Sequence, residues 1–166
     1  MVHCSKHGDP AYDCAIVALG TRGFANEVPN RPWHPGNRAL RGTAVAVVGD
    51  RVYKYGATTG YTTGTVKNTT LTSTNRTGNI DVQNAILIEG DDGQIWCNGG
   101  DSGSVVVRYD TDEVVAINFR ADFTSGDEHG YKQGLAYDIA TQVALFSSAV
   151  TLAESPKRTL ADSSPA

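Results

Sequence analysis

A serine flanked by glycines is the feature of this sequence best suited to chemistry. The hexapeptide Gly99–Ser104 reads GGDSGS and places Ser102 directly before an apolar run, Val105–Val107. Glycines on both sides of a serine let the backbone turn tightly and bring its N–H groups close to a reacting oxygen. A hydroxyl that attacks a carbonyl needs such a loop, because neighbouring amides must hold the oxyanion that forms. The hexapeptide therefore has the geometry that a nucleophilic serine and an oxyanion pocket both need.

Less specific interpretations of the same stretch stay open. Gly-Asp-Ser-Gly is also good turn chemistry, so Ser102 could be an ordinary turn residue. Cys97 is either a small core residue or, less favourably, an alternative nucleophile. We expect Asp101 to be structural and to shape the loop through a buried ion pair. No metal or cofactor site is predicted, because the cysteines show no ligand spacing and the acidic turn at residues 110–113 lacks calcium-ligand spacing.

Short apolar or alternating runs, separated by Gly, Asn, Asp and Thr, predict antiparallel β structure. The predicted strands are Cys14–Leu19, Ala44–Val48, Val52–Tyr55, Thr62–Lys67, Ile80–Glu89, Ser104–Arg108, Val114–Phe119 and Gly134–Tyr137. Gly49 and Asp50 are predicted to form a tight hairpin turn between two of them. One helix is predicted over Asp138–Ser148, with Asp138 capping its N-terminus.

Composition divides the chain into four parts. Residues 21–42 hold three prolines and several Asn, Arg and Gly residues, which predicts a connector because proline interrupts strand ladders. Residues 1–20 are too few for a domain, so we expect the chain to begin partway through a larger fold. Residues 43–148 contain most of the predicted strands and the helix. Residues 149–166 are small and polar and are expected to be a disordered tail.

Charge and hydropathy exclude several partners. The 166 residues are 40% hydrophobic and carry a formal net charge of −4. No apolar run approaches the roughly 20 residues of a membrane helix, and no basic surface is expected, so neither membrane nor nucleic acid is a predicted partner. The N-terminus shows no signal peptide, and the compartment stays unknown.

Three segments, taken in order, resemble the chymotrypsin-like (trypsin-like) serine peptidases of microbial and fungal type. Asp13–Leu19 looks like the segment of the catalytic aspartate, Val52–Val66 like the first hairpin of the second barrel, and Gly100–Ser104 like the nucleophile loop. The resemblance covers roughly Ala11–Phe146. It implies an all-β fold, the second six-stranded antiparallel barrel of a two-barrel molecule with a short C-terminal helix. Residues 1–20 would then hold the last strand of the first barrel.

The resemblance also implies a function and a set of roles. It implies a serine-type endopeptidase that acts on peptide or protein substrates without a metal or cofactor. Ser102 would be the nucleophile, the backbone N–H groups of Gly100 and Ser102 the oxyanion hole, and Asp13 the group that orients a histidine base. Three residues are expected to line the substrate cleft: Trp96, Asn118 and Phe119. Trp96 would narrow the pocket against long basic side chains, but core packing explains Trp96 equally well, and edge-strand packing explains the other two.

No histidine of this chain stands where the family has its base. His3 and His7 precede Asp13 too closely for a turn and a return strand, and His34 and His129 lie in the connector and in a polar loop. We therefore expect the base to belong to a missing N-terminal half-barrel, which would be a partner of this chain. Two alternatives remain: a catalytically inactive homologue that serves as a binding or scaffold module, and an unrelated β-sandwich.

Overall fold

Valine-rich antiparallel strands form the framework that positions Ser102. The computed structural model describes residues 25–32, 34–74, 78, 80–121, 126–127 and 129–144. The strands are β1 (Glu27–Pro29), β2 (Asn37–Ala39), β3 (Arg51–Gly56), β4 (Gly60–Thr74), β5 (Ile80–Gly90), β6 (Val105–Arg108), β7 (Val114–Ala121), β8 (Gly126–Asp127), β9 (Gly130–Tyr131) and β10 (Gln133–Asp138). A 3-10 turn at Asp91–Gly93 follows β5, and helix α1 (Ile139–Ala144) follows β10.

Six of these strands close into a barrel in the order β10-β5-β4-β3-β6-β7, and every neighbouring pair is antiparallel. The interior is filled by small and branched side chains, including Val52, Val66, Ile88, Val106 and Val115, all fully buried. These residues alternate along their strands with outward-facing ones, as a closed barrel requires. The barrel and the short helix confirm the expected all-β fold.

The hairpin of β4 and β5 is longer than the sequence predicts. The predicted strand Thr62–Lys67 lies inside the longer β4, which continues to Thr74, and β5 begins at Ile80. The distal part, residues 68–74 and 80–84, is called the arm here. Two of its three apolar residues, Leu71 and Val82, join a separate cluster with Leu135, Tyr137 and Phe119, whereas Ile80 is 50% exposed. The arm therefore folds over β10 and β7 instead of extending into solvent.

The predicted strand Ala44–Val48 is wrong. The segment belongs to no strand: the isolated bridge of Thr43 with Val114 precedes it, and Val45, Val47 and Val48 are 69%, 58% and 59% exposed. β3 already pairs with β4 on one edge and β6 on the other, so the closed barrel has no free position for this segment. Gly49 and Asp50 do not form the predicted hairpin turn between two strands. They form a local turn, in which Asp50 N–H donates to the Val47 carbonyl at 3.0 Å.

Two other predictions fall near the ends of the described chain. Within the proline-rich residues 21–42, β1 and β2 form a small antiparallel ladder that places Pro29 at the end of its strand, where a missing N–H is tolerated. Asp138 caps α1 as predicted, because its Oδ1 accepts the backbone N–H of Thr141 at 2.9 Å.

Four predictions lie outside the described residues: the strand Cys14–Leu19, the range 1–20, the helix end at Ser148 and the tail 149–166. Among the described residues, no helix has the length and apolar character needed to span a bilayer.

Candidate active site

Ser102 is exposed on a loop that lies between the end of β5 and the start of β6. Its hydroxyl donates to the backbone carbonyl of Phe119, with 2.9 Å between the two oxygens. The loop is fixed to β7 by backbone bonds on either side of this contact: Gly103 N–H donates to the Asn118 carbonyl at 2.7 Å, and Asn118 N–H donates to the Ser104 carbonyl at 2.9 Å. The nucleophile loop is therefore joined directly to the edge of β7.

A bulge in β7 makes the Phe119 carbonyl available. Along β10, Leu135 pairs with Arg120 and the next residue, Ala136, pairs with Asn118, so Phe119 is the extra residue on its strand. A bulge leaves one residue outside the regular ladder and redirects the groups that it carries. Here the redirected carbonyl accepts the Ser102 hydroxyl instead of a neighbouring strand.

Two amides of the loop fit the predicted oxyanion site. Among the described residues, the N–H groups of Gly100 and Ser102 donate to no protein acceptor, whereas Asp101 N–H donates to the Asn98 carbonyl. Gly100 has a φ of +100°, and a Cβ built on it would lie 2.4 Å from Oγ1 of Thr58. Only glycine fits this position without strain. The oxyanion role of the two amides stays a prediction.

Asp101 is buried beneath the loop and is surrounded by donors. Its carboxylate accepts five hydrogen bonds, from Thr58 N (2.8 Å), Thr59 N (3.1 Å), Thr59 Oγ1 (2.7 Å), Asn98 N (3.0 Å) and Lys54 Nζ (3.0 Å). The Lys54 and Asp101 side chains are both 0% exposed. The predicted buried ion pair at Asp101 is confirmed, and it ties the nucleophile loop to β3 and to the turn that follows it.

The carboxylate of Asp101 stays ionised because its donors outweigh its burial. Burial alone would raise the pKa of Asp101, but the hydrogen bonds from Thr59, Lys54 and the two threonine amides hold it well below its usual range. Burial lowers the pKa of Lys54, and the carboxylate of Asp101 opposes that shift. Each partner therefore depends on the other for its charge in the barrel interior.

Trp96 packs in the core, one of the two positions that the sequence left open for it. Its side chain is 0% exposed, and its Nε1–H donates to Oδ1 of Asn118 at 3.2 Å. Gly64 and Gly134 make room for the indole, since a Cβ on either would approach it within 2.9 Å. Asn118 is only 2% exposed. A bound peptide therefore cannot reach these two side chains in this conformation, which argues against their predicted direct contacts with substrate.

Phe119 is half-buried, and its ring stacks on Tyr137 with 3.9 Å between the centroids. Its main chain already contacts Ser102, so this residue stays the best placed of the three predicted substrate contacts. The stack also holds the bulged part of β7 against β10.

Among the described residues, neither Cys97 nor a histidine side chain is hydrogen-bonded to Ser102. Burial raises the pKa of the Cys97 thiol to about 11, which disfavours the reactive thiolate. His34 and His129 are both exposed. The His129 carbonyl accepts Asn98 Nδ2 at 3.2 Å, and the His129 N–H donates to Oδ1 of Asp127 at 2.8 Å. Asp13, His3 and His7 lie outside the described residues.

Sequence reasoning missed the residues that hold the loop from below: Lys54, Thr58 and Thr59. One signal was available in β3, where Lys54 shares the inward face of the strand with Val52. A lysine on an apolar face is rarely buried unless it is paired. The alternation of side chains along β3 therefore pointed to a buried acid, which the structure identifies as Asp101.

Solved structures with a similar fold are bacterial proteases. They include Nocardiopsis protease (20% identity, 80% of this chain and 64% of that chain, TM-score 0.62), Thermobifida fusca protease A (20%, 80% and 63%, 0.60) and Cellulomonas bogoriensis chymotrypsin (20%, 76% and 61%, 0.57). At this identity the likeness shows the fold.

The chain spans 61% to 64% of the length of these three proteins. No curated protein matches the sequence. The model of peptidase family S64 matches residues 10–132. The chain therefore belongs to peptidase family S64, and its barrel has the chymotrypsin-like fold.

Proposed function

We propose that this chain supplies the nucleophile and the oxyanion site of a serine endopeptidase, with Ser102 attacking the scissile carbonyl. The observation that supports this most is the combination of an exposed Ser102 hydroxyl with two adjacent loop amides, of Gly100 and Ser102, that have no acceptor among the described residues. Two such donors stabilise a developing oxyanion, and removal of one typically costs about 3 kcal/mol of transition-state stabilisation.

The edge of β7 supplies a surface for an extended peptide. The ladder between β6 and β7 ends at the pair of Val105 with Ile117, and the loop then bonds Asn118. Among the described residues, residues 119–121 have no strand partner on that side of β7. An extended peptide can add to such an edge as a further strand, with main-chain hydrogen bonds providing affinity. We propose that the substrate binds there and presents its carbonyl to Ser102.

The proton acceptor is proposed to come from outside the described residues. In the structure the Ser102 hydroxyl donates to a backbone carbonyl, which holds the hydroxyl but cannot take its proton. A serine needs a base such as an imidazole before it can attack. We propose that a histidine of an N-terminal half-barrel acts as this base and that Asp13 orients it, by the same logic as in other Ser-His-Asp sites.

A fluorophosphonate probe, which reacts with activated serines, tests the proposal. We expect weak labelling of this chain alone and strong labelling when an upstream half-barrel that carries a histidine is supplied, because only then is the base present. Ser102→Ala should abolish the labelling. Ser104→Ala is the matched control, since Ser104 Oγ donates to the Asp101 carbonyl beside the site, and it should keep the labelling.

Strong labelling of the isolated chain that disappears in Ser102→Ala would disprove the proposal that the base comes from an upstream half-barrel. It would support Ser102 as the nucleophile. Labelling that survives Ser102→Ala would disprove the assignment of Ser102.

One observation favours a second function, a non-catalytic module that binds peptides. The hydrogen bond from Ser102 to the Phe119 carbonyl is the arrangement expected of a serine with no base to serve. A module of this kind would bind extended peptides at residues 119–121, yet no form of it, with or without upstream sequence, would react with the probe.

A further inference from the structure

An ion pair lies near Ser102, and one of its partners, Arg120, is on β7, the strand whose Phe119 carbonyl accepts the Ser102 hydroxyl. Arg120 follows Phe119 in β7, and consecutive Cα atoms are 3.8 Å apart. The Arg120 guanidinium donates to Oδ2 of Asp81 at 2.5 Å. The two side chains are 37% and 35% exposed, so water reaches both partners of the pair.

The arm brings Asp81 to this position. Leu71 and Val82 of the arm pack with Leu135 and with the stacked rings of Phe119 and Tyr137. This apolar contact fixes the arm across the outer face of β10 and β7. Asp81, next to the buried Val82, is thereby held against Arg120.

A peptide on the open edge of β7 would place one of its side chains opposite Arg120. All neighbouring strands of the barrel are antiparallel, and a peptide added in the same way runs toward Ser102 as β7 runs away from it. The peptide residues that face residues 119–121 therefore precede the scissile bond. Residues directly opposite each other in antiparallel strands have Cβ atoms about 4.5–5.5 Å apart, close enough for a charge pair.

We propose that Arg120 is a specificity-determining residue that selects an acidic side chain on the amino side of the scissile bond, and that Asp81 occupies Arg120 when no substrate is bound. The inference rests on the proposed function and names its substrate class. An ion pair that water reaches contributes little to stability, so a substrate carboxylate can replace Asp81 at little cost. A guanidinium also donates two parallel hydrogen bonds to a carboxylate, a geometry that a neutral amide side chain cannot match.

The test measures peptide binding, which does not require catalysis. Fluorescein-labelled octapeptides with Glu or Gln at each of the four positions before an Ala-Ala bond are titrated against the Ser102→Ala chain, with fluorescence anisotropy as the readout. We expect Glu to bind about fivefold more tightly than Gln at one of these positions, the difference that a single solvent-exposed charge pair provides. Arg120→Gln should remove the difference.

Asp81→Asn provides the second variant, because it removes the competing carboxylate and keeps Arg120. It should increase the preference for Glu. Arg51→Gln is the matched control: Arg51 also forms a part-exposed pair, with Asp91 at 2.9 Å, but on β3, and its loss should leave the preference unchanged.

Equal binding of the Glu and Gln peptides, no binding of either, or a preference that survives Arg120→Gln would overturn the proposal. An Asp81→Asn variant with an unchanged preference would do the same. If the fluorophosphonate probe labels Ser102 but the peptides show no preference for Glu, only this inference is refuted. If the peptides show a preference for Glu that depends on Arg120 but the probe labels no form of the protein, even with an upstream half-barrel, the peptidase proposal is refuted and the role of Arg120 stands.

Discussion

Asp101 shows how strongly a single side chain can fix a loop. Its carboxylate is buried and takes five donors, whereas the carboxylate of Glu89 is 40% exposed and pairs with Lys67 at 3.5 Å. Both pairs join a lysine to an acid, but only the first is shielded from water. Their contributions to stability should therefore differ sharply.

Lys54→Met should destabilise the protein by about 3–5 kcal/mol, because it leaves the Asp101 carboxylate buried without its counter-charge. The measurement is the free energy of unfolding from urea titrations followed by tryptophan fluorescence. Lys67→Met is the matched control and should change the free energy by less than about 1 kcal/mol, since its pair is exposed. Equal losses in the two variants would show that Lys54 is not what balances Asp101.

The turn between β3 and β4 acts as the support of the nucleophile loop. Thr58 donates its hydroxyl to the Gly99 carbonyl at 2.6 Å and its amide to Asp101 at 2.8 Å. The turn and the loop are therefore in direct contact, and there is no space between them for a side chain at Gly100.

Gly100→Ala should destabilise the fold by about 1–3 kcal/mol and weaken probe labelling of the active form, because its φ is positive and its Cβ would collide with Thr58. Thermal unfolding and labelling measured side by side report the two effects. The control is Gly99→Ala. A Cβ on Gly99 meets no atom within 4 Å, and its φ lies outside the left-handed region, so this variant should stay within about 0.5 kcal/mol of the wild type. Wild-type behaviour of Gly100→Ala would contradict the tight contact.

Sequence patterns predicted some elements well and failed on others for physical reasons. The core parts of β3, β6, β7 and β10 were predicted because their valines and alanines follow barrel alternation. The β5 part of the arm was predicted within Ile80–Glu89. The β4 part, residues 68–74, was missed because this Thr- and Asn-rich stretch carries few apolar residues and depends on contacts with distant residues such as Phe119. Ala44–Val48 was wrongly predicted because an apolar run does not reveal that both edges of β3 are already occupied.

In the candidate site, too, features encoded by neighbouring residues were predicted, whereas features that depend on distant residues were not. The GGDSGS motif is local, so the sequence located Ser102 and its glycines. The inward orientation of the Trp96 side chain depends on the space left by two distant glycines, Gly64 and Gly134, so the residues next to Trp96 in the sequence could not predict it. The Arg120–Asp81 pair joins residues 39 positions apart through the folded arm, which no spacing rule contains.

Closure of the barrel links the loop to the stability of the whole protein. Lys54 lies on β3, and β3 pairs with both β4 and β6, so the ion pair under the loop is part of the cooperative barrel. The titration of Asp101 should therefore be visible in global unfolding and not only in local motion of the loop.

The free energy of unfolding should fall as the pH drops below about 4, where Asp101 would take up a proton in the unfolded chain. Because its pKa is lower in the folded state, its contribution is complete above the unfolded value and declines as the pH falls toward the folded one. Urea titrations between pH 3 and pH 7 measure this, and Asp101→Asn should show a shallower slope. Asp110→Asn, at an exposed carboxylate, should keep nearly the wild-type slope. Identical slopes in all three proteins would contradict the prediction.

The buried Cys97 has a consequence for handling the molecule under oxidising conditions. Peroxide and alkylating reagents attack thiolates, and a thiol with a pKa near 11 is almost wholly protonated in neutral buffer. The Cys97 sulfur is thus shielded twice, by its protonation and by the barrel wall. Reagents that inactivate cysteine hydrolases should therefore leave Cys97 unmodified.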